Sequence, residues 1–288
     1  LYRNVHDQTV RLANLGNTID EVSDLVREPT FATEDLSVRG YYGSTKHNAK
    51  AVYQFYFGWW GGVPAEFDPH PPEARAKRLV AAIGGAERTQ EVGEQAFGDG
   101  DYRWAAEVFT NLVFSGSGDA KAEQWLAATY EQLGFQAESG AVRNYFLSAA
   151  RELRSGIRTP TNLGEAAASF LPNVPTEALF NALSVRYDPS THDREPFELE
   201  FRFPDTDEVI SVAVGRDIAY PRLGKRADEP AATVTITRDL FNGLLVGQHN
   251  ALGLLVTGKL KIDGDRGAVT VYFDALVDPP DDFAIVTP

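Results

Sequence analysis

The side chains in this sequence best suited to hold an anion lie close together between Arg39 and Pro64. The stretch reads Arg-Gly-Tyr-Tyr-Gly-Ser-Thr-Lys-His-Asn-Ala-Lys-Ala-Val-Tyr-Gln-Phe-Tyr-Phe-Gly-Trp-Trp-Gly-Gly-Val-Pro. Arg39 brings a fixed positive charge and a planar fork of N–H donors. Tyr41 and Tyr42 bring hydroxyls. Ser44 or Thr45 caps a helix predicted over Lys46–Phe57. His47 and Asn48 fall in its first turn, where free backbone N–H groups and the helix dipole favour negative charge. The same dipole favours the neutral form of a histidine. Two readings of the stretch stand. In one, Arg39, Tyr41, Tyr42, Asn48 and Trp60 bind an anionic substrate and His47 is the catalytic candidate. In the other, the stretch is a packed aromatic helix with a polar cap, because Tyr53, Tyr56 and Phe57 recur at helical spacing.

No second constellation competes with it. The five histidines, His6, His47, His70, His192 and His249, lack the spacing of metal ligands. There is no cysteine, so thiolate metal sites and disulfides are excluded. No nucleophile elbow, phosphate-binding loop or dinucleotide fingerprint occurs. His6, Asp7 and Gln8 read as helix surface or as partners between helices. His70, within Asp68-Pro-His-Pro-Pro72, reads as solvated. Catalysis by this chain alone is therefore not expected.

The elements that would position these residues fall into two groups. The 288 residues suffice for two domains, and 43% hydrophobic with 24% charged residues is ordinary globular composition. A net charge of −14, spread over both halves, argues against a nucleic-acid partner. No apolar run is long enough to span a membrane. The chain has no Met and opens at Leu1 on a helical pattern, which reads as a fragment or as a processed or trimmed chain.

Residues 1–157 read as all-helical and 158–174 as a linker broken by Gly and Pro. Residues 175–288 read as an α+β domain. In the first domain, helices are predicted over 74–83, 86–97, 102–114, 121–133 and 138–154, with Gly134 ending the fourth and Gly140 breaking the fifth. The pair 86–114 and 120–154 repeats with a period of about 34 residues, in the manner of tetratricopeptide helix pairs. So few units cannot bury their outer faces alone, which implies packing on another domain or subunit. A turn of helix is expected over 164–171. In the second domain a helix over 176–187 precedes strands over 197–203, 209–215, 218–223 and 233–237. Helices over 238–246 and 251–256 and a strand over 258–264 follow. Residues 268–276 suit strand or helix.

The stretch from Arg39 resembles the alkylsulfatase family of the metallo-β-lactamase superfamily. Arg39-Gly-Tyr-Tyr-Gly43 followed by His47-Asn-Ala-Lys-Ala-Val-Tyr-Gln54, Gly58-Trp59 and Pro64-Ala65 carries the likeness. His6-Asp-Gln-Thr-Val-Arg-Leu-Ala-Asn14 and Gly100-Asp-Tyr-Arg-Trp-Ala-Ala-Glu-Val108 extend it, as do Leu133–Gly140 and Arg143–Leu147. It departs at Gly58-Trp59-Trp60-Gly61-Gly62-Val63-Pro64, where the family's Gly-Trp-Tyr-Asp-Gly-Asn-Pro supplies a tyrosine hydroxyl and a carboxylate. Gly258–Asp265 resembles the corresponding part of a sterol-carrier-protein domain, which implies a closing helix over 268–276. The resemblance implies a helical dimerisation domain followed by that domain, and a homodimer. It implies two zinc ions in a domain N-terminal to this chain and none within it, and a periplasmic or secreted location. The activity implied is hydrolysis of alkyl sulfates, with Phe197, Phe201, Phe241, Leu244, Leu245, Leu254 and Leu255 around the alkyl chain. An ordinary filled core is the other reading of those seven residues. A non-catalytic dimerising scaffold with a lipid-binding module is the other reading of the whole chain.

Overall fold

The computed structural model of the protein describes residues 1–158, 168–280 and 282–288. The chain divides into two compact units, residues 1–158 with 283–288, and residues 159–282. The turn of helix expected over 164–171 begins outside the described residues.

The first unit is helical throughout. Helices α1 (Tyr2–Asn14), α2 (Ile19–Leu25) and the short α3 (Thr30–Glu34) lead to α4 (Thr45–Phe57). Helix α2 starts where Thr18 and Glu21 close a capping box, each accepting the other's backbone N–H. Val5 and Leu12 of α1, Val22 and Val26 around α2, and Ala49 and Tyr53 of α4 form one buried cluster. Ion pairs Lys46–Asp24 and Lys50–Asp20 fix the polar edge between α2 and α4. All four side chains are partly exposed, so these pairs set register more than they add stability.

Five longer helices follow: α5 (Pro72–Ile83), α6 (Ala86–Gly98), α7 (Tyr102–Phe114), α8 (Ala120–Gln136) and α9 (Gly140–Ser155). Asp101, Asp119 and Ser139 cap the last three with side-chain oxygens. Phe109, Leu112 and Leu126 are the largest side chains of their shared core, with Trp125 stacked on Phe109 at 6.1 Å. Two glycines make this packing possible. A β-carbon at Gly93 of α6 would lie 2.6 Å from the Phe109 ring. One at Gly134 would lie 2.8 Å from Leu147 of α9. Gly134 therefore does not end its helix as its residue type suggests; α8 runs through it to Gln136 because the crossing with α9 needs the missing side chain. Gly140 likewise opens α9 rather than breaking it, since Ser139 caps the helix there. Residues 283–288 join this unit through Glu152 of α9, whose carboxylate accepts the backbone N–H groups of Ile285 and Val286 at 2.8 and 3.2 Å.

In the second unit a short 3-10 turn, Leu171–Asn173, precedes α10 (Thr176–Ser184), which leads into a five-stranded sheet. The strands are β1 (Phe197–Phe203), β2 (Glu208–Val214), β3 (Ala219–Leu223), β4 (Ala232–Ile236) and β5 (Leu260–Gly264). Their order is β3-β2-β1-β4-β5. Only β1 and β4 run parallel, with Phe201 opposite Val234 on one side and Ile210 on the other. Helices α11 (Arg238–Leu245), α12 (Ala251–Val256) and α13 (Arg266–Asp274) complete the unit. The ambiguous segment after Gly264 is thus the closing helix. Asp265 takes the Gly267 and Ala268 N–H groups and starts it, overriding the β-branched residues within. Phe180, Phe201, Phe203 and Phe241 fill the core, with Phe180 and Phe241 stacked at 5.5 Å.

The substitution Gly93→Ala tests the α6–α7 crossing. Its added methyl has no room against Phe109, so denaturant unfolding should show a loss of roughly 1–3 kcal/mol. An unchanged midpoint and slope would refute the close approach.

Candidate functional site

The loop before α4 is built on the start of α9. The Gly140 N–H donates to the Tyr41 carbonyl at 2.6 Å, and the Ser139 hydroxyl donates to the Tyr42 carbonyl at 2.7 Å. Arg39 pairs with Glu138 and lies 5.9 Å from the centre of the Tyr41 ring. Three successive residues of one segment therefore hold three positions of the other. The Tyr41 and Tyr42 side chains remain exposed. The positive charge of Arg39 is shared with a carboxylate, so an anion here would compete with Glu138 for it.

Ser44 then caps α4 and takes hold of His47. Its Oγ accepts the His47 backbone N–H at 3.3 Å and lies 2.7 Å from the His47 Nδ1. A hydroxyl has one proton to give. Donation of that proton to Nδ1 makes Nδ1 the acceptor and puts the ring proton on Nε2, at the far edge. His47 is exposed, yet local desolvation, and then the Lys50 and Lys46 charges, hold its pKa below the ordinary histidine value. In the tautomer in which Ser44 donates to Nδ1, the Nε2–H is left to donate one hydrogen bond, and the lowered pKa favours the uncharged ring. Asn48 lies beside Gly43 in the same first turn and is exposed.

The remaining sequence candidates fall elsewhere. Trp60 donates its indole N–H to the Val63 carbonyl at 2.9 Å and meets Phe67 edge-on, so it offers a ring face and no free donor. His6 bridges α1 to α4, with Nε2 2.8 Å from the Tyr56 hydroxyl and Nδ1 2.8 Å from Asp7. His192 lies 2.7 Å from the Tyr187 hydroxyl in the second unit. Among the described residues no group of three or more His, Asp or Glu could hold a metal ion.

The second unit contains a cavity of about 520 Å³ among α11, α12, α13, β4 and β5. Phe241, Leu244, Leu245 and Leu255 line it, joined by Ile236 and Phe273. Phe197, Phe201 and Leu254 do not. Phe201 is fully buried on the central strand against Phe180, Phe197 packs beneath Arg194, and Leu254 turns into the filled core. Both sequence readings of the seven residues are thus partly met, since some wall a space and some fill the core. At the rim stand His249, Asn250, Thr270 and Asp274, all exposed. Volume and apolar lining match those of small-ligand pockets.

Sequence reasoning misses Glu138 and Ser139, which lie nearly a hundred positions beyond the loop they hold and carry no local signal. It also misses Thr270 and Asp274, because the segment bearing them suits strand and helix equally. Ser44 as the partner of His47 is accessible from the three-residue spacing of a cap.

Two family profiles match in succession, alkyl sulfatase dimerisation over residues 18–156 and alkyl sulfatase C-terminal over residues 165–288. A linear primary-alkylsulfatase from Pseudomonas sp. is 34% identical, covering 100% of this chain and 43% of its own length. An alkyl/aryl-sulfatase from Saccharomyces cerevisiae is 32% identical, with 100% and 44% covered. The solved structure of a stereoselective inverting sec-alkylsulfatase from Pseudomonas sp. superposes with a TM-score of 0.91 at 29% identity, covering 99% of this chain and 45% of that one. The chain spans less than half the length of these relatives.

The state of His47 is open to direct titration. Its carbon-bound ring proton, followed by NMR, should titrate below about 6.5. Lys50→Gln should move the midpoint upward, because removing a neighbouring positive charge favours the imidazolium. A midpoint above that value, or one that Lys50→Gln leaves in place, would contradict the electrostatics described.

Proposed function

The chain belongs to the alkylsulfatase family, through its dimerisation and C-terminal domains, and from that premise we propose that it serves the hydrolysis of alkyl sulfate esters to alcohol and sulfate. The reading rests above all on the succession of both family domains along nearly the whole chain, in one fold shared with a sec-alkylsulfatase. In it the His47 Nε2–H donates to a sulfate oxygen, held in that tautomer by Ser44. Arg39 pairs with the sulfate, and the Tyr41 and Tyr42 hydroxyls and the Asn48 amide supply further donors. Trp60 contributes an aromatic face. No group of the described residues fits a metal centre, and the zinc ions implied by the resemblance take no part in this reading of the segment. The helical unit would pair two copies into a homodimer.

The cavity of the second unit would shelter the alkyl chain. Each methylene removed from water there contributes roughly 0.8 kcal/mol. A second reading draws on the same cavity and on the lack of a metal-donor set among the described residues. In that reading the chain is a dimerising scaffold with a lipid-binding module and takes no part in the chemistry.

Kinetics separate the two. In the whole protein, His47→Ala should lower kcat/KM for decyl sulfate by roughly a hundredfold or more, the usual loss for one oriented donor. Circular dichroism should stay unchanged. Undiminished turnover would remove His47 from the mechanism and favour the scaffold reading.

A further inference from the structure

The cavity of the second unit has a charged mouth as well as an apolar wall. Ile236, Phe241, Leu244, Leu255 and Phe273 form the wall, and His249, Asn250, Thr270 and Asp274 the polar rim. Among the described residues no Lys or Arg lines it. The Asn250 side-chain oxygen is already taken by the Leu252 and Gly253 N–H groups at 2.9 and 3.3 Å, which leaves its amide N–H₂ to donate. Asp274 is exposed and makes none of the ion pairs found among the described residues. It is also the last residue of α13, where the helix dipole adds negative potential. The rim is therefore negative from a side chain and from a helix end, within a chain of net charge −14.

We propose that this cavity takes alkyl chains with neutral or cationic heads, and so accepts the alcohol that sulfate-ester hydrolysis releases while disfavouring the anionic ester itself. The proposal rests on the alkyl-chain reading of the cavity given above and narrows its occupant from the ester to the released alcohol. A hydroxyl can donate to the Asp274 carboxylate and accept from the Asn250 amide or the Thr270 hydroxyl. A sulfate at the same place faces the Asp274 carboxylate, and none of the described lining residues is a Lys or Arg. The tail then sets affinity, through buried apolar area, and the head sets selectivity. Ester recognition would fall to the Arg39–Asn48 region, and the second unit would act on the product side of the reaction.

Calorimetric titration of the whole chain at low salt tests this, with 1-decanol, decyl sulfate and decyltrimethylammonium kept below their micelle concentrations. Decanol is the least water-soluble and should bind tightest for that reason alone, so the charged pair carries the comparison. Decyltrimethylammonium should bind about tenfold more tightly than decyl sulfate, with the gap narrowing as salt rises. Asp274→Asn should close most of the gap, and Asp274→Lys should reverse it. Both changes are at an exposed position and leave the core intact. Decyl sulfate binding as tightly as the cation, or a gap indifferent to Asp274, would overturn the head-group selectivity while leaving the alkyl-chain reading in place. Leu244→Trp, which fills the cavity, should abolish decanol binding. Retention of binding in that variant, or failure of all three ligands to bind the unaltered chain, would defeat the alkyl-chain reading and the selectivity with it.

Discussion

The arrangement of the first unit depends on two backbone carbonyls. Those of Tyr41 and Tyr42 are taken by the Gly140 N–H and the Ser139 hydroxyl, the latter bond joining residues 97 apart. A loop of this composition, rich in glycine and in large exposed rings, has little apolar burial of its own to hold it. The two bonds and the Arg39–Glu138 pair supply what burial does not. They place the loop where α4 begins, and the Ser44 cap then fixes both the first turn of the helix and the ring of His47. One short segment thus ties loop, cap and imidazole to the helical scaffold.

The electrostatics of that segment follow from the same anchoring. The chain is acidic overall, yet Arg39, Lys46 and Lys50 gather near His47 in sequence. Each of the three is paired with a carboxylate, so their net field is modest. The Lys50 and Lys46 charges still add to desolvation in lowering the His47 pKa. With Nδ1 accepting from Ser44, an uncharged imidazole can donate a hydrogen bond to an anion without a full ionic attraction. The second unit has the opposite character, with an apolar cavity whose rim, among the described residues, holds a carboxylate and no Lys or Arg. The polar segment of the first unit and the apolar cavity of the second thus differ in the chemistry they offer.

Much of this is legible in the amino-acid sequence. Residues 18–21 announce a capping box, alternation announces β1 and β2, and the ring-rich segment announces α4 with Ser44 as one of two possible caps. What is not legible comes from contacts distant in sequence. Gly134 has the character of a stop signal, and only the approach of Leu147 explains why the helix runs through it. The segment after Gly264 carries β-branched residues, and only the cap at Asp265 and the packing of Ala268, Val269 and Tyr272 decide for helix. That ambiguity hides half of the cavity rim. Phe201 and Leu245 have similar apolar character, and the position of β1 at the centre of the sheet decides which fills the core and which lines the space.

The role proposed for His47 is to give an oriented hydrogen bond to an anionic substrate. A crystal structure of the whole protein with a non-hydrolysable alkyl sulfate analogue would test it most directly. A head-group oxygen is expected within hydrogen-bond distance of the His47 Nε2, with Nδ1 still on Ser44. A fully occupied head group bound entirely by other residues, with His47 facing bulk water, would contradict it.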